Sequence, residues 1–478
     1  MKNLNEIIKQ RIKKLDEIRR KGIDPYGRKF EKIHPIKEIK EGFKEGLLVK
    51  VAGRIIALRS HGKSAFLDIR DELERIQVYI KKGLISEDDF WLFERLDIGD
   101  IIGVEGELFK TRTGEITIQV KKLNLLSKSL RPLPEKWHGL KDIEVRFRQR
   151  YLDLISNEEI KEIFRIRCEI ISKIKEFLDK KGYLEVETPM MHYVSGGATG
   201  KPFKTHHNVF DIDLYLRIAP ELYLKKLLVG GFEKIYELNR SFRNEGISTK
   251  HNPEFTMLEV YEAYSDYEDM MRLTEELIAY VAEEVLGTLK IKYQGKEIDL
   301  TPPWNRKSFA RTIGIKPDEK NPEEWKKILA EKFGMDIEKG VSRSSLLKLA
   351  EDLLDEQEAH KPTFFTDYFT EVSPLAKTKK DEPLLAERFE LFIGGLELAN
   401  AYSELNDPRE QAERIKVQQE KEKDKKHKID EDFLRALEYG MPPAGGLGVG
   451  IDRLVMLLTD KASIREVILF PQLKPEGK

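Results

Sequence analysis

Apolar residues near the start of the chain recur at helical spacing. Leu4, Ile7, Ile8, Ile12, Leu15 and Ile18 share a face, and lysines and arginines fill the other. Gly22 and Pro25 close the run, so the pattern predicts an amphipathic helix over 3–21. Between 47 and 127 the period shortens to two. Val49, Val51 and Ile55 alternate, as do Ile76, Val78 and Ile80, and glycines at 62, 83, 99, 103, 106 and 114 punctuate the stretch. That predicts short strands closed into a small barrel. Leu130-Arg131-Pro132-Leu133-Pro134 reads as a stiff linker. Beyond about 150 the chain mixes long helices with strands, an α+β pattern. A helix is expected over 159–181, ended by Gly182, then a strand from Tyr183 to Val186 leading into Thr188-Pro189. Further helices are expected at 266–286 and within 322–359. The mixed charge run 408–428 reads as one solvated helix. The resulting division is a basic helical extension (1–46), a barrel (47–130), a linker (131–150) and an α+β domain (151–478) carrying a helical insertion at about 266–365.

Composition adds limits. Lys plus Arg (84) nearly cancel Asp plus Glu (85), so overall charge says nothing about nucleic acid. Residues 1–60 carry nine more basic than acidic residues, which suits a polyanion or a solvated basic helix. The single cysteine, Cys168, excludes an internal disulfide framework and fits a reducing cytosol. It lies in an apolar-periodic stretch and is expected in the core. No apolar run is long enough to span a membrane, so no membrane partner is expected. Within the barrel, Ala65, Leu67 and Ile69 should face in, while Phe66, Asp68, Gln77 and Tyr79 face out. An exposed ring beside polar groups is a base-stacking platform of the kind OB folds carry, or simply a lone surface phenylalanine.

The chemistry concentrates in the second half. Asn239-Arg240-Ser241-Phe242-Arg243-Asn244-Glu245-Gly246 and His251-Asn252-Pro253-Glu254-Phe255-Thr256-Met257-Leu258-Glu259-Val260-Tyr261 are two strand-like runs around a polar loop. Period two puts Glu237, Asn239, Ser241 and Arg243 on one face of the first, and Phe255, Met257, Glu259 and Tyr261 on one face of the second. A guanidinium for phosphate, a ring for a base and carboxylates for an ammonium or metal suit a nucleotide. Gly445-Gly446-Leu447-Gly448-Val449-Gly450-Ile451-Asp452-Arg453 opens an apolar helix. There the backbone can come close to a ligand, and Arg453 can cover an adenine or a phosphate. Glu390 and Glu397 flank Gly394-Gly395. A two-residue turn there pairs 390 with 399 and sets the two carboxylates on one face, where without a basic neighbour they repel. Mg²⁺ bridging to phosphates relieves that, and two solvated glutamates are the plain alternative. Asn400 and Glu404 have the other parity from Glu397, so a shared site requires a bulge between 397 and 400. Two carboxylates and a phenol such as Glu221, Glu404 and Tyr261 match a compact ammonium, although only a family resemblance brings these three together. An uncharged amide would leave those carboxylates unpaired.

These segments resemble the bacterial-type class II lysyl-tRNA synthetases over nearly the whole chain. The matching stretches include "GGATGKPFKTHHN", "RIAPELYLKKLLVGGFEKIYELNRSFRNEG", "HNPEFTMLEVYEAY", "ERFELFIGGLELANAYSELNDP" and "GLGVGIDRLVMLLTD". The resemblance implies an anticodon-binding OB domain before a catalytic domain on an antiparallel sheet. It also implies a homodimer with Pro189 at the interface, Mg²⁺ as cofactor, and ATP, L-lysine and tRNA(Lys) as substrates. It assigns Arg243 to the α-phosphate and the lysine carboxylate, and Phe255 and Arg453 to adenine. Glu245, His251, Asn252 and Gly450 go to ATP, and Glu390 and Glu397 to Mg²⁺. Glu221, Tyr261 and Glu404 read the ε-ammonium with support from Glu259, while Asn400 and Gly197 hold the other end of lysine. Phe66, Gln77 and Glu115 read the anticodon. Gly200-Lys201 departs from the family pattern, where a small polar residue and an arginine are expected. Rival readings are an aspartyl or asparaginyl enzyme, a truncated paralogue that lysylates protein, and an inactive nucleic-acid-binding protein.

Overall fold

The computed structural model describes residues 4–134, 140, 142–198, 200–316, 318, 321–334, 345–347, 349–350, 361–421 and 429–475. The chain forms two compact units, 1–141 and 142–478.

The first unit is a closed barrel of β1 (Leu48–His61), β2 (Ser64–Arg70), β3 (Arg75–Lys81), β4 (Ile101–Lys110) and β5 (Ile116–Ser127), in the order β1-β2-β3-β5-β4. The two-residue period does the work. Val49, Val51, Ile55, Leu67, Ile69, Ile76, Val78 and Ile80 all turn inward and make one core. The helix Leu4–Arg20 covers it with Leu15 and Ile18. Part of the N-terminal basic surplus is spent internally: buried Arg11 donates to the carbonyls of Ile98, Ser129 and Arg131, and Lys14 pairs with Asp97. Asp68 corrects the parity expectation. It is buried rather than facing out, because the Arg59 and Arg75 guanidiniums, 3.3 and 3.9 Å away, cover its carboxylate.

The second unit is built on an antiparallel-dominated sheet. Its strands in chain order are β6 (Leu184–Glu185), β7 (Met191–His192), β8 (Lys204–His207), β9 (Ile212–Leu216), β10 (Lys234–Phe242), β11 (Glu254–Ala263), β12 (Lys290–Tyr293) and β13 (Lys296–Asp299). They continue with β14 (Asn305–Ser308), β15 (Thr363–Thr366), β16 (Arg388–Ile393), β17 (Leu396–Ser403) and β18 (Ala444–Gly450). Eight of them form one sheet in the order β14-β15-β16-β17-β18-β11-β10-β6. Leu258, Val260, Leu391, Ala399, Ala401, Leu447 and Val449 point to the face that packs under the helices Glu158–Lys180, Tyr267–Leu286 and Ile451–Leu458. The opposite face is left to polar side chains.

Three expectations change here. Cys168 is exposed. The buried arc of its helix runs through Ile160, Ile163, Phe164, Ile170, Ile174, Phe177 and Leu178, and residue 168 falls just past its edge. The stretch 266–365 is mixed rather than helical, since it supplies the hairpin β12–β13 and the strand β14. The charged helix is described as Pro408–Lys421, and residues 422–428 lie outside the described part. It is not wholly solvated. Gln411 is buried and donates to Pro374 O at 3.1 Å, and Arg414 donates to Ala376 O at 2.7 Å. Of the helical segments expected within 322–359, Pro322–Phe333 is described and residues 351–359 lie outside the described part.

Candidate active site

Strand register assembles the polar face row by row. Glu237 pairs with Glu259, Glu259 with Gly448, Gly448 with Asn400, and Asn400 with Glu390. The adjacent row runs Ile235, Tyr261, Gly446, Tyr402, Arg388. Partners directly across a sheet share a face. The middle strand of both rows therefore contributes only glycine, while Leu447 and Val449 alternate into the core. The result is a bare floor between two walls of polar side chains. It lines a cavity of about 550 Å³ that also takes in Gly197, Glu221, Arg243, Glu245, His251, Asn252, Phe255, Glu397, Glu404, Gly450 and Arg453. This is within the usual size of a small-molecule site.

At one end, Arg243 stands with its guanidinium carbon 5.1 Å from the centre of the Phe255 ring. Its Nε is buried with no partner among the described residues, and burial holds the guanidinium below its ordinary value. Arg453 donates to Glu397 O and Oε2 at 2.7 and 3.0 Å and meets His251 Nε2 at 3.3 Å. Burial alone would raise the Glu397 carboxyl, but Arg453 outweighs it and holds it below the ordinary range. Burial lowers His251 further below its usual value, with Arg453 adding to the effect. Asn252 lines the cavity, but its amide is engaged at both ends, donating to Glu254 O and accepting from Gln472 N. A Cβ on Gly200 would lie 3.2 Å from the Arg243 stem, so the glycine lets the backbone at 200 rest on that arginine.

The Glu390/Glu397 hairpin differs from expectation in register. Gly394 and Gly395 make the two-residue turn, both with positive φ. Glu390, however, pairs with Asn400 rather than 399, because Leu398 bulges between the pairs Phe392–Glu397 and Leu391–Ala399. That bulge turns Glu397 to the face of Asn400 and Glu390. Nor do the two carboxylates lack basic neighbours. Arg388 pairs with Glu390, which also accepts from Tyr368 Oη at 2.8 Å, and Arg453 pairs with Glu397. Among the described residues no group of three or more His, Cys, Asp or Glu is placed to hold a metal by itself.

At the other end the acids gather. Glu221 opens the helix Glu221–Val229, and Gly197 in the left-handed region brings its own chain close, since a Cβ there would lie 3.2 Å from Glu221 Cβ. Tyr402 Oη donates to Glu221 Oε1 at 2.6 Å, and Tyr261 Oη lies 3.4 Å from Glu259 Oε2. Burial pushes Glu404 up to about 8 and Glu259 well above the carboxylate range. Burial likewise raises both tyrosines well above theirs, with Glu221 adding to it.

Sequence reasoning overlooked several residues here. Tyr402 has the parity of Asn400 and Glu404, and Arg388 that of Glu390, so alternation alone could have found both. Lys225 is four residues past Glu221, one helical turn. Arg217, buried, bonds Glu237, Thr188 and Arg240 O, and carried no signal. Arg167 reaches from the helix Glu158–Lys180 to Asp452 at 2.7 Å and Thr256 Oγ1 at 3.0 Å, next to Arg453 and Phe255.

On the barrel, Phe66 pairs across the strands with Tyr79, their ring centres 4.9 Å apart, and Gln77 pairs with Thr117 and accepts from its hydroxyl at 3.0 Å. Glu115 lies 3.8 Å from Arg75. The three expected residues share one half-exposed face, and Tyr79 joins them.

Residues 142–474 match the family model for class II tRNA synthetases (D, K and N). The chain belongs to the class II tRNA synthetases. The barrel of this synthetase, residues 49–126, matches the OB-fold nucleic acid binding domain. Among its relatives are the lysine–tRNA ligases of Carboxydothermus hydrogenoformans (57% identical over 99% of both chains) and Pelotomaculum thermopropionicum (56% identical over 99% of this chain and 96% of the relative). That of Moorella thermoacetica is 53% identical over 99% of this chain and 98% of its own.

Proposed function

We propose that this synthetase attaches L-lysine to tRNA(Lys) in two steps, through a lysyl-adenylate, ending on the 3′-hydroxyl of the terminal adenosine. The observation that carries the lysine assignment is the acid end of the cavity, where Glu221, Glu259 and Glu404 stand with Tyr261 and Tyr402. A compact ammonium satisfies such a group, whereas the side chain of aspartate would be repelled and that of asparagine would leave carboxylates unpaired. Arg243 is placed to bridge the lysine carboxylate and the α-phosphate, with adenine between Phe255 and Arg453. Glu245 and His251 border the nucleotide, while Asn252 holds their loop and Gly450 leaves room at the helix start. Asn400 and Gly197 face the α-carboxylate and α-amino end of lysine. The reaction asks little covalent work of the protein. Orientation and charge neutralisation carry the rate, and no general base is needed.

Two carboxylates without a third fit a divalent cation that draws its remaining ligands from phosphate, the usual pattern for Mg²⁺. Glu390 and Glu397 would hold it, and it would neutralise charge on the pyrophosphate. Arg388 and Arg453 hold those two carboxylates in place beforehand.

The barrel, 47–130, reads the anticodon with Phe66, Gln77 and Glu115, and 1–46 adds basic surface. The catalytic domain takes in the whole second unit, 142–478, so the expected linker at 131–150 shortens to its first part. The exposed Met190, Met191 and Tyr193 beside Pro189 suit a homodimer contact. No described helix is long and apolar enough to cross a membrane, and a cytoplasmic site of action follows from the reaction.

ATP–pyrophosphate exchange with each of the twenty amino acids tests the reading. Lysine alone should support exchange; a response to aspartate or asparagine instead would overturn the pocket assignment. The same assay should be pH-dependent. Below about 8 the Glu404 carboxyl carries a proton that lysine binding must displace. The lysine KM should therefore fall as pH rises from about 6.5 to 8.5, at most roughly tenfold per unit. A KM that is flat over that range rules this out. Stacking of a base on an aromatic ring contributes about 1–3 kcal/mol. Phe66→Ala should accordingly raise the KM for tRNA by roughly five- to 150-fold while leaving exchange untouched. A tRNA KM equal to the parent's removes Phe66 from the anticodon site.

A further inference from the structure

The acid end of the cavity already holds an ammonium of its own. Lys225 Nζ lies 2.7 Å from Glu221 Oε1 and 2.5 Å from Glu404 Oε2, and the side chain is fully buried. It does not line the cavity, whereas Glu221, Glu404, Tyr261 and Tyr402 all do. Lys225 therefore approaches the carboxylates from behind, and a substrate ammonium approaches from the front. Both oxygens of Glu404 are buried without a formed hydrogen bond among the described residues, and Oε2 is the one that lies against Lys225 Nζ.

We infer that Lys225 is a positioning residue for amino-acid selection, a built-in cation that holds Glu221 and Glu404 in place and leaves their group one positive charge short of neutral. The inference rests on the lysine reading of this cavity. Once lysine binding has displaced the Glu404 proton, two buried carboxylates and one ammonium sum to −1, so one further ammonium completes the set. Without Lys225 the pair would carry −2 in a buried place, and a proton would be taken up instead. The groups packed against Nζ are few. Glu221 comes from its own helix, Tyr402 and Glu404 come from β17 and its exit, and Tyr261 and Glu259 from β11 stand beyond them. The helix Glu431–Glu438 offers only the Phe433 ring, 6.0 Å away, and Asp430 faces Lys226 instead. Burial alone would lower the Lys225 ammonium, but Glu221 and Glu404 outweigh it and hold it above its ordinary value. It thus stays charged wherever the enzyme works.

The test is lysine-dependent ATP–pyrophosphate exchange by the full chain, measured against lysine concentration and pH. Lys225→Met should raise the lysine KM at least about tenfold with a much smaller change in kcat, and should move the fall of KM to higher pH. Glu404→Gln makes the group neutral and should weaken lysine binding strongly. The double variant Lys225→Met/Glu404→Gln returns it to −1, so its lysine KM should lie below that of Glu404→Gln alone. Losses that simply multiply would overturn the inference, as would a Lys225→Met enzyme with the parental KM and pH profile. Should Lys225→Met fail to fold, Lys225→Arg keeps the charge and should keep the parental pH profile; a displaced profile there also overturns the inference. Failure of the lysine reading looks different, because the parent enzyme itself would then exchange with another amino acid.

Discussion

Replacing Arg243 with alanine should cost about two to three orders of magnitude in ATP–pyrophosphate exchange, the usual consequence of removing one preorganised donor to developing charge. Arg243 sits where charge must be met. Its Nε is buried with no partner among the described residues, and its guanidinium stands beside Phe255. Glu245, Glu259 and Glu397 pull its charge toward the cavity, while Arg453 repels it. Burial is a cost that a bound anion repays, so the loss should appear in kcat as well as in the KM for ATP. Arg243→Lys separates charge from shape: an ammonium keeps the former but not the planar fork that spans two oxygens. It should recover only a small part of the lost rate. Single-turnover adenylate formation is the measurement, and near-parental turnover by Arg243→Ala would remove this residue from the chemistry.

Gly446→Ala should abolish lysine use with little effect on ATP binding. A Cβ at 446 would fall 1.9 Å from Glu404 Oε1 and 2.7 Å from Tyr261 Cε1. Both groups are buried and packed, so neither can retreat freely. The Glu404 oxygen displaced is the one turned to the substrate. The lysine KM should rise by at least about a hundredfold, equivalent to losing a buried charge partner. Gly448→Ala is the comparison. There the nearest atom is the flexible end of Met257 at 3.3 Å, so the strand should accept the methyl with a smaller loss of stability. Equal lysine KM values for Gly446→Ala and the parent would show that Glu404 does not face the substrate.

Much of this site was legible in the chain. Alternation placed Phe255, Met257, Glu259 and Tyr261 on one wall, and the register confirms that face. The glycine turn at 394–395 was equally plain. The bulge between 397 and 400 followed from the parity of Asn400 and Glu404, but nothing in Leu398 marks it as the bulged residue, so the pairing of Glu390 came out one place off. Leu398 is an ordinary core leucine whose extra place in the strand is set by packing. Cys168 and Asp68 failed for a related reason. Periodicity assigns a face, but the width of a buried arc and the reach of Arg59 and Arg75 are properties of neighbours. Lys225 and Arg217 were overlooked because a lysine or arginine in sequence reads as surface, and Arg388, whose face alternation does give, was passed over for the same reason. Only the assembled sheet shows that buried carboxylates hold them inside.

The glycine floor also bears on how such a cavity can diverge. Positions 446, 448 and 450 have no side chain to exchange, and any gained there subtracts room from every ligand alike. A lineage that changes its amino acid must therefore work through the walls, at 259 and 261 on one side and 402 and 404 on the other. Changing a carboxylate at 404 without changing 225 leaves Lys225 and Glu221 as a neutral pair, with no charge to spare for a substrate ammonium. Single steps from lysine toward an acidic or amide substrate thus pass through an enzyme that binds lysine poorly and nothing else well, and paired replacements form the easier route.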